Sequence, residues 1–191
     1  MRIGGGVLRG RSLRVPPRVR PTGGLARAAL FDVWAPRITG GRFLDLFAGS
    51  GAVGIEALSR GAALCVAVER SGPVFRVLTT NYEALAPDGK WRLVRATLPA
   101  GLSSENVRKS LPFDLIFADP PYDFLLWREL LEAIAPLLAR DGQAVLEHGR
   151  RGRPPEEAGP LARRSRRVYG ETELSFYEGS SAEPPSGERP R

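Results

Sequence analysis

A chain of 191 residues with 42% apolar content and a formal charge of +7 can bury a full core without disulfides or metal, so neither a metal centre nor a second domain is required. Its single cysteine, Cys65, cannot close an internal bridge, no apolar run nears the roughly 20 residues that span a bilayer, and the amino terminus lacks the apolar block of a signal peptide. A disulfide-stapled scaffold and a helical membrane protein are excluded on these grounds, and a cytoplasmic protein is expected.

Taken in chain order, the first segment is the most basic. Met1 to Phe31 holds seven arginines (Arg2, Arg9, Arg11, Arg14, Arg18, Arg20, Arg27) and no acid. Residues 1–24 read as a basic arm containing a short β-hairpin, with Gly4-Gly5-Gly6 and Gly10 giving it freedom to adapt to a folded polyanion. Leu25 to Trp34 reads as a helix. Strands and helices then alternate: Arg42 to Phe47, Val53 to Arg60, Leu64 to Glu69, Pro73 to Leu85, and Arg92 to Ala96. A weak helix near Ser103 to Lys109, the strand Phe113 to Ala118, the helix Phe124 to Leu138 and the strand Ala144 to Glu147 continue the pattern. A hairpin of about Arg163 to Tyr177 closes it. Such alternation implies a parallel sheet with helices on both faces, spanning residues 25–178, with ligands collecting at the carboxyl ends of the strands. Residues 179–191 hold no apolar side chain beyond Ala182 and are expected to be a disordered tail.

Two motifs carry chemistry. In Phe43 to Gly54 (FLDLFAGSGAVG) an apolar strand runs into a glycine turn that opens a helix, with the spacing Gly-x-Gly-x-x-Gly. A dinucleotide cofactor would place pyrophosphate there, but the Asp45 carboxylate at the strand end would repel it. A cationic ligand suits Asp45 better, and S-adenosylmethionine carries both a sulfonium and an ammonium. Glu69 ends the next strand about 20 residues after the first glycine, where an acid can accept from ribose hydroxyls.

The second motif is Asp119-Pro120-Pro121-Tyr122, at the end of the apolar run Phe113 to Ala118. The prolines cannot extend a ladder, so the loop becomes a rigid set of acceptors beside an aromatic face. Acceptors for N–H protons and a ring for stacking suit a nucleobase amine. The alternative is a strand-ending turn in which Asp119 caps the next helix. A second basic cluster, Arg150, Arg151, Arg153, Arg163, Arg164, Arg166 and Arg167, is offset only by Glu156 and Glu157 and reads either as RNA-binding or as solvated surface.

With these residues in view, the chain resembles the bacterial small-subunit ribosomal RNA guanine-N2 methyltransferases of the RsmD type. The resemblance is carried by Arg9-Gly10-Arg11-Ser12-Leu13, Arg20-Pro21-Thr22, Ala29-Leu30-Phe31, Leu44 to Gly61, Glu69, Asp119 to Tyr122 and Tyr169-Gly170-Glu171-Thr172, and it extends to about Glu178. It implies an α/β, Rossmann-like class I S-adenosylmethionine-dependent methyltransferase fold: a mostly parallel seven-stranded sheet with helices on both faces, plus a short N-terminal basic β-hairpin. It implies direct methyl transfer to the exocyclic N2 amine of a guanine in 16S rRNA, by a monomer acting on an assembling or assembled small subunit. The implied cofactor-binding residues are Asp45, Phe47, Ala48, Gly49, Ser50, Gly51, Glu69 and Arg70. The implied catalytic residues are Asp119, Pro120, Pro121 and Tyr122, and the implied RNA-binding residues are Arg2, Arg9, Arg11, Arg14, Arg20 and Thr22.

The sequence departs from that pattern in three places. Gly23 to Ala29 lacks an acid and an arginine that the pattern expects there, Ala96 stands where an adenine-contacting acid or amide is expected, which leaves adenine to the backbone or Thr97, and His148 follows Glu147 as a structural or exposed rather than catalytic histidine. Three other functions share some of these features: a DNA adenine-N6 or cytosine-N4 methyltransferase, for which the chain has no room for a target-recognition domain; a non-catalytic RNA-binding module, which would tolerate a degenerate Asp119 loop; and a nicotinamide-dependent oxidoreductase.

Overall fold

The computed structural model describes residues 1–16 and 24–179. Arg18, Arg20, Thr22 and the expected tail from residue 180 onward lie outside the described residues.

The apolar runs of the sequence become the central strands, because residues buried on both sides of a sheet need no alternation. The elements are α1 (Gly24–Ile38), β1 (Arg42–Leu46), α2 (Ala52–Ser59), β2 (Leu64–Glu69), α3 (Gly72–Leu85) and β3 (Trp91–Arg95). They continue with a four-residue α4 (Glu105–Arg108), β4 (Phe113–Ala118), α5 (Trp127–Ile134), β5 (Leu138–Gly149), β6 (Glu157–Ala158), β7 (Leu161–Tyr169) and β8 (Thr172–Gly179). One sheet runs in the order β3-β2-β1-β4-β5-β8-β7-β6, parallel from β3 to β5 and antiparallel beyond. Phe31, Trp34, Val53, Leu78 and Tyr82 pack on one face and Val107, Trp127, Leu130 and Ile134 on the other, so helices cover both.

Four expectations are corrected. The sheet has eight strands rather than seven, because Glu157–Ala158 turns back at Gly159 and pairs with Leu161–Ala162. The amino-terminal hairpin reduces to one antiparallel bridge, Arg2 with Ser12, closed by Ile3 N–H to the Arg11 carbonyl at 3.0 Å. The helix expected over Phe124 to Leu138 is shorter: the chain turns after Tyr122 and leaves the helix at Ala135 in a 3₁₀ turn that contains Pro136. Gly179 belongs to β8, opposite Leu161, rather than to the tail.

The arm is docked rather than free. Ile3 and Leu13 are buried, and the backbone between them is tied to α2: Gly4 N–H donates to the Glu56 carboxylate at 3.0 Å and Leu8 N–H to Ser59 Oγ at 2.8 Å. Glu56, 1% exposed, also meets Arg27 at 3.3 Å and Arg60 at 2.9 Å. Asn81 holds the far end, accepting from Arg14 N–H and donating to the carbonyls of Arg14 and Ser50. The expected freedom of Gly4-Gly5-Gly6 is therefore spent on close packing: a Cβ on Gly6 would fall 1.9 Å from the Ser59 carbonyl oxygen. Because one buried carboxylate anchors two arginines and a backbone N–H, Glu56→Ala should cost about 3–5 kcal/mol, seen as a lower urea midpoint.

Candidate active site

Registry places the acids before any ligand is considered. Asp45 lies opposite Ala67 of β2 and Phe117 of β4, and Phe117 opposite Val145 of β5. Glu69, Asp119 and Glu147 are each two residues further along their strands, on the same face of the pleat because side chains alternate with period two. The result is a rim of acids at the carboxyl ends of four neighbouring parallel strands, where the strand order reverses between β1 and β4.

A cavity of about 550 Å³ opens along this rim. Its wall contains Asp45, Phe47, Ala48, Gly49, Ser50, Glu69 and Arg70 toward β2, and Asp119, Pro120, Pro121 and Tyr122 toward β5, so the two sequence motifs share one space. Gly51 is the exception among the expected cofactor residues. It has φ 80°, and a Cβ there would fall 2.7 Å from both Leu78 and Tyr82, so its lack of a side chain serves packing against α3. Arg2, Arg9, Arg11 and Arg14 do not line the cavity; all four side chains are exposed on the docked arm.

The glycine turn is held by the acids themselves. Asp45 Oδ2 accepts from Gly54 N–H at 2.9 Å, joining the end of β1 to the first turn of α2. Gly54 has no room for a side chain, since a Cβ would sit 2.1 Å from Tyr82 Oη and 2.7 Å from Cys65 Sγ. Glu69 accepts from Gly49 N–H at 3.2 Å and from Ser71 N–H at 2.7 Å, one carboxylate oxygen for each. A carboxylate has about four acceptor positions, so these bonds leave capacity for ligand hydroxyls.

Burial raises the Asp45 carboxyl from 3.8 to about 7; the Gly54 N–H opposes this, while Asp119 and Glu69 add to it. A cation at this place would relieve both the desolvation and the repulsion, whereas pyrophosphate would aggravate them. The donor set therefore fits S-adenosylmethionine and not a nicotinamide dinucleotide.

On the opposite side, Tyr122 is 71% exposed, and its ring lies against Gly149, where a Cβ would fall 3.2 Å from Tyr122 Cε1. The Pro121 carbonyl accepts from Phe124 N–H at 2.9 Å, which turns the chain immediately after the motif. Phe47, at φ 60° in the left-handed region, stacks edge-on to Phe124 at 5.4 Å. Phe124 meets Trp127 at 5.2 Å, and Trp127 meets His148 at 5.9 Å. His148 is buried, with Nδ1 at 3.0 Å from the Gly149 carbonyl and Nε2 at 2.9 Å from Ser175 Oγ; desolvation lowers its pKa, so it is a neutral structural side chain that donates from Nδ1.

Sequence reasoning did not single out Met1, Ser71, Val74, Phe117, Glu147 or Thr172 as cavity residues. Glu147 and Phe117 were accessible to the period-two argument once the registers of β4 and β5 were known; Met1 and Thr172 arrive through tertiary packing. Neither Ala96 nor Thr97 reaches the cavity. The Ala96 methyl is instead packed under Gly101, where an added Cβ would approach it to 2.4 Å.

The sequence profile of the family described as "Conserved hypothetical protein 95" matches residues 1–178. The chain belongs to this family. "Putative rRNA methyltransferase YlbH" of Bacillus subtilis is 35% identical over 181 residues, covering 93% of this chain and 98% of that protein. "Ribosomal RNA small subunit methyltransferase D" of Escherichia coli K12 is 40% identical over 144 residues, covering 74% and 68%. Among solved structures, "Putative methyltransferase yhhF from Escherichia coli" superposes with a TM-score of 0.81 at 32% identity, covering 94% of this chain and 97% of that one. The chain is thus an RsmD-type methyltransferase, which agrees with the resemblance and removes the oxidoreductase and the non-catalytic module from consideration.

Because the folded Asp45 carboxyl titrates near 7 rather than 3.8, folding takes up a proton across that interval. The cofactor-free protein should therefore lose stability as pH rises from about 4 to above 7. Thermal unfolding at pH 5 and pH 8 should show this loss in the parent chain and a smaller one in Asp45→Asn.

Proposed function

We propose that this methyltransferase transfers a methyl group from S-adenosylmethionine to the exocyclic N2 amine of a guanine in small-subunit (16S) ribosomal RNA. The observation that carries the reading is the single cavity shared by the Asp45–Glu69 turn and the Asp119-Pro120-Pro121-Tyr122 loop, with the exposed arginines of the arm on the same chain.

The cofactor is S-adenosylmethionine, which supplies an electrophilic methyl group on a sulfonium. Asp45 provides negative charge beneath the glycine turn, and Glu69 provides acceptors for ribose hydroxyls. Asp119 is half-buried at the end of β4, where its carboxylate accepts an amine N–H and then the departing proton. By accepting that bond it localises electron density on a nitrogen whose lone pair is otherwise delocalised into the ring, an effect of positioning and electrostatics. Tyr122 gives the base a face to stack on. Cys65 takes no covalent part, being fully buried beneath Gly54 and bonded to Tyr82. An amine inside a duplex does not reach a sheet-edge cavity, so the target nucleotide is unpaired or flipped out.

The rRNA assignment draws on the names of the relatives, while a DNA amino-methyltransferase would use the same loop chemistry. Labelled methyl transfer to unmodified small subunits, protein-free small-subunit rRNA and duplex DNA separates them: label on a guanine amine of either RNA sample supports the proposal, and label on DNA alone overturns it. Asp119→Ala should slow transfer by at least about 10²-fold while leaving cofactor affinity nearly unchanged. Affinity for S-adenosylmethionine should rise as pH is raised from 6 to 8, because ionised Asp45 is the form that attracts a cation, and calorimetry should find that rise absent in Asp45→Asn.

A further inference from the structure

The second basic cluster divides once its contacts are known. On β7, Arg163 is paired with Glu156, Arg164 donates to the Gly179 carbonyl at 2.8 Å, Arg166 reaches Glu173 at 3.2 Å and Arg167 lies over Phe176 at 5.6 Å. These four arginines hold the sheet edge together. The other three stand in the turn that leaves β5.

That turn begins at the active site. Leu146 of β5 pairs with Ala118 of β4, so Glu147, His148 and Gly149 continue along the rim beside the Asp119 loop, and Gly149 carries the Tyr122 ring against its backbone. Arg150 is the next residue. The turn itself is rigid: Gly152 N–H donates to the Gly149 carbonyl at 2.8 Å, the same carbonyl accepts from His148 Nδ1, and Arg153 donates to the Arg150 carbonyl at 2.7 Å. A Cβ on Gly152 would fall 2.9 Å from the His148 Cβ, so the glycine permits the tight closure. Arg150 spans to the neighbouring β7–β8 turn, donating to the Gly170 carbonyl at 3.1 Å with Glu171 at 3.6 Å across solvent. Arg151 and Arg153 are exposed. The five residues from Gly149 to Arg153 thus hold three arginines and no acid, in a turn closed by these bonds next to Tyr122's contact.

We infer that the turn Gly149–Arg153 is a phosphate clamp for the RNA strand next to the target nucleotide, with Arg151 and Arg153 contacting phosphates and Arg150 bracing the turn. The inference rests on the RNA methyltransferase reading and adds an anchor on the β5 side of the cavity, whose lining also includes Met1 of the arm. Guanidinium groups suit the task because their planar donor set matches phosphate oxygens and their faces stack on unpaired bases. A flipped base in contact with Tyr122 brings its own backbone phosphates to this turn. A preorganised pair of cations there positions the strand without entering the chemistry.

The test uses the full chain with small-subunit rRNA and labelled S-adenosylmethionine. Arg151→Gln with Arg153→Gln should raise KM for RNA about fivefold or more, leave kcat and cofactor affinity unchanged, and flatten the dependence of log affinity on log salt by about 1 to 1.5 units, as for two lost single-strand phosphate contacts. Arg151→Lys with Arg153→Lys should keep the parent slope. Should the double variant unfold, Arg151→Gln alone, at an exposed side chain, should flatten the slope by about 0.7. An unchanged KM and slope in a parent enzyme that does methylate rRNA overturns the clamp alone. Failure of the parent chain to bind or methylate any RNA overturns the functional reading and the clamp with it.

Discussion

The hydrogen bond from Gly54 N–H to the Asp45 carboxylate is the contact on which the cavity depends. It locks the end of β1 to the first turn of α2, and the glycine turn between them has its course set by that closure. Hydrogen bonds to charged groups are worth about 1.5–3 kcal/mol, yet here the acceptor is buried among other acids and its charged form is penalised. The site is consequently built around a carboxylate that the protein alone does not fully satisfy. A cation beside it would offset that penalty, whereas an anion would add to it.

The parallel register of four strands extends this arrangement along the rim. Asp45 and Glu69 shape one half of the cavity and Asp119 and Glu147 the other, because each ends its strand on the same side of the pleat. The aromatic series Phe47, Phe124, Trp127 and His148 joins the halves beneath the Asp119 loop. Phe47 accepts a left-handed backbone conformation to enter that series, a strain of about 1–3 kcal/mol that surrounding packing must hold. Asn81 makes a comparable bridge on the outer side, bonding both the arm at Arg14 and the glycine turn at Ser50. Asn81 thereby joins the arm to the glycine turn in the cavity wall.

Arginine does several different jobs in this chain, and composition hides the differences. Arg27 and Arg60 are consumed by the buried Glu56 and serve to dock the arm, while Arg163 and Arg164 brace the far sheet edge. Arg9, Arg11 and Arg14 are displayed to solvent on a backbone that is firmly attached. An anchored display costs less ordering entropy on binding a polyanion than a flexible tether would.

Much of this was legible in the residues alone. Long apolar runs carrying Asp45, Glu69 and Asp119 at or beside their ends mark strands that end at the cavity, because only a few acids interrupt otherwise buried segments. The glycine spacing and the paired prolines are local signals that need no partner to be read. The eighth strand, the collapse of the amino-terminal hairpin to one bridge, and the cavity roles of Glu147, Met1 and Thr172 were not legible, since each depends on which distant segment lies alongside. The same holds for Gly51, whose missing side chain leaves room for Leu78 and Tyr82, and for the sorting of the arginines. The sequence by itself determined the order of elements, the sheet class and the residue types at the reactive rim, because these follow from periodicity and local backbone chemistry. Only the tertiary structure decided the registers that bring the acids into one row and the partners that occupy each charge, because those are set by contacts between residues far apart in the chain.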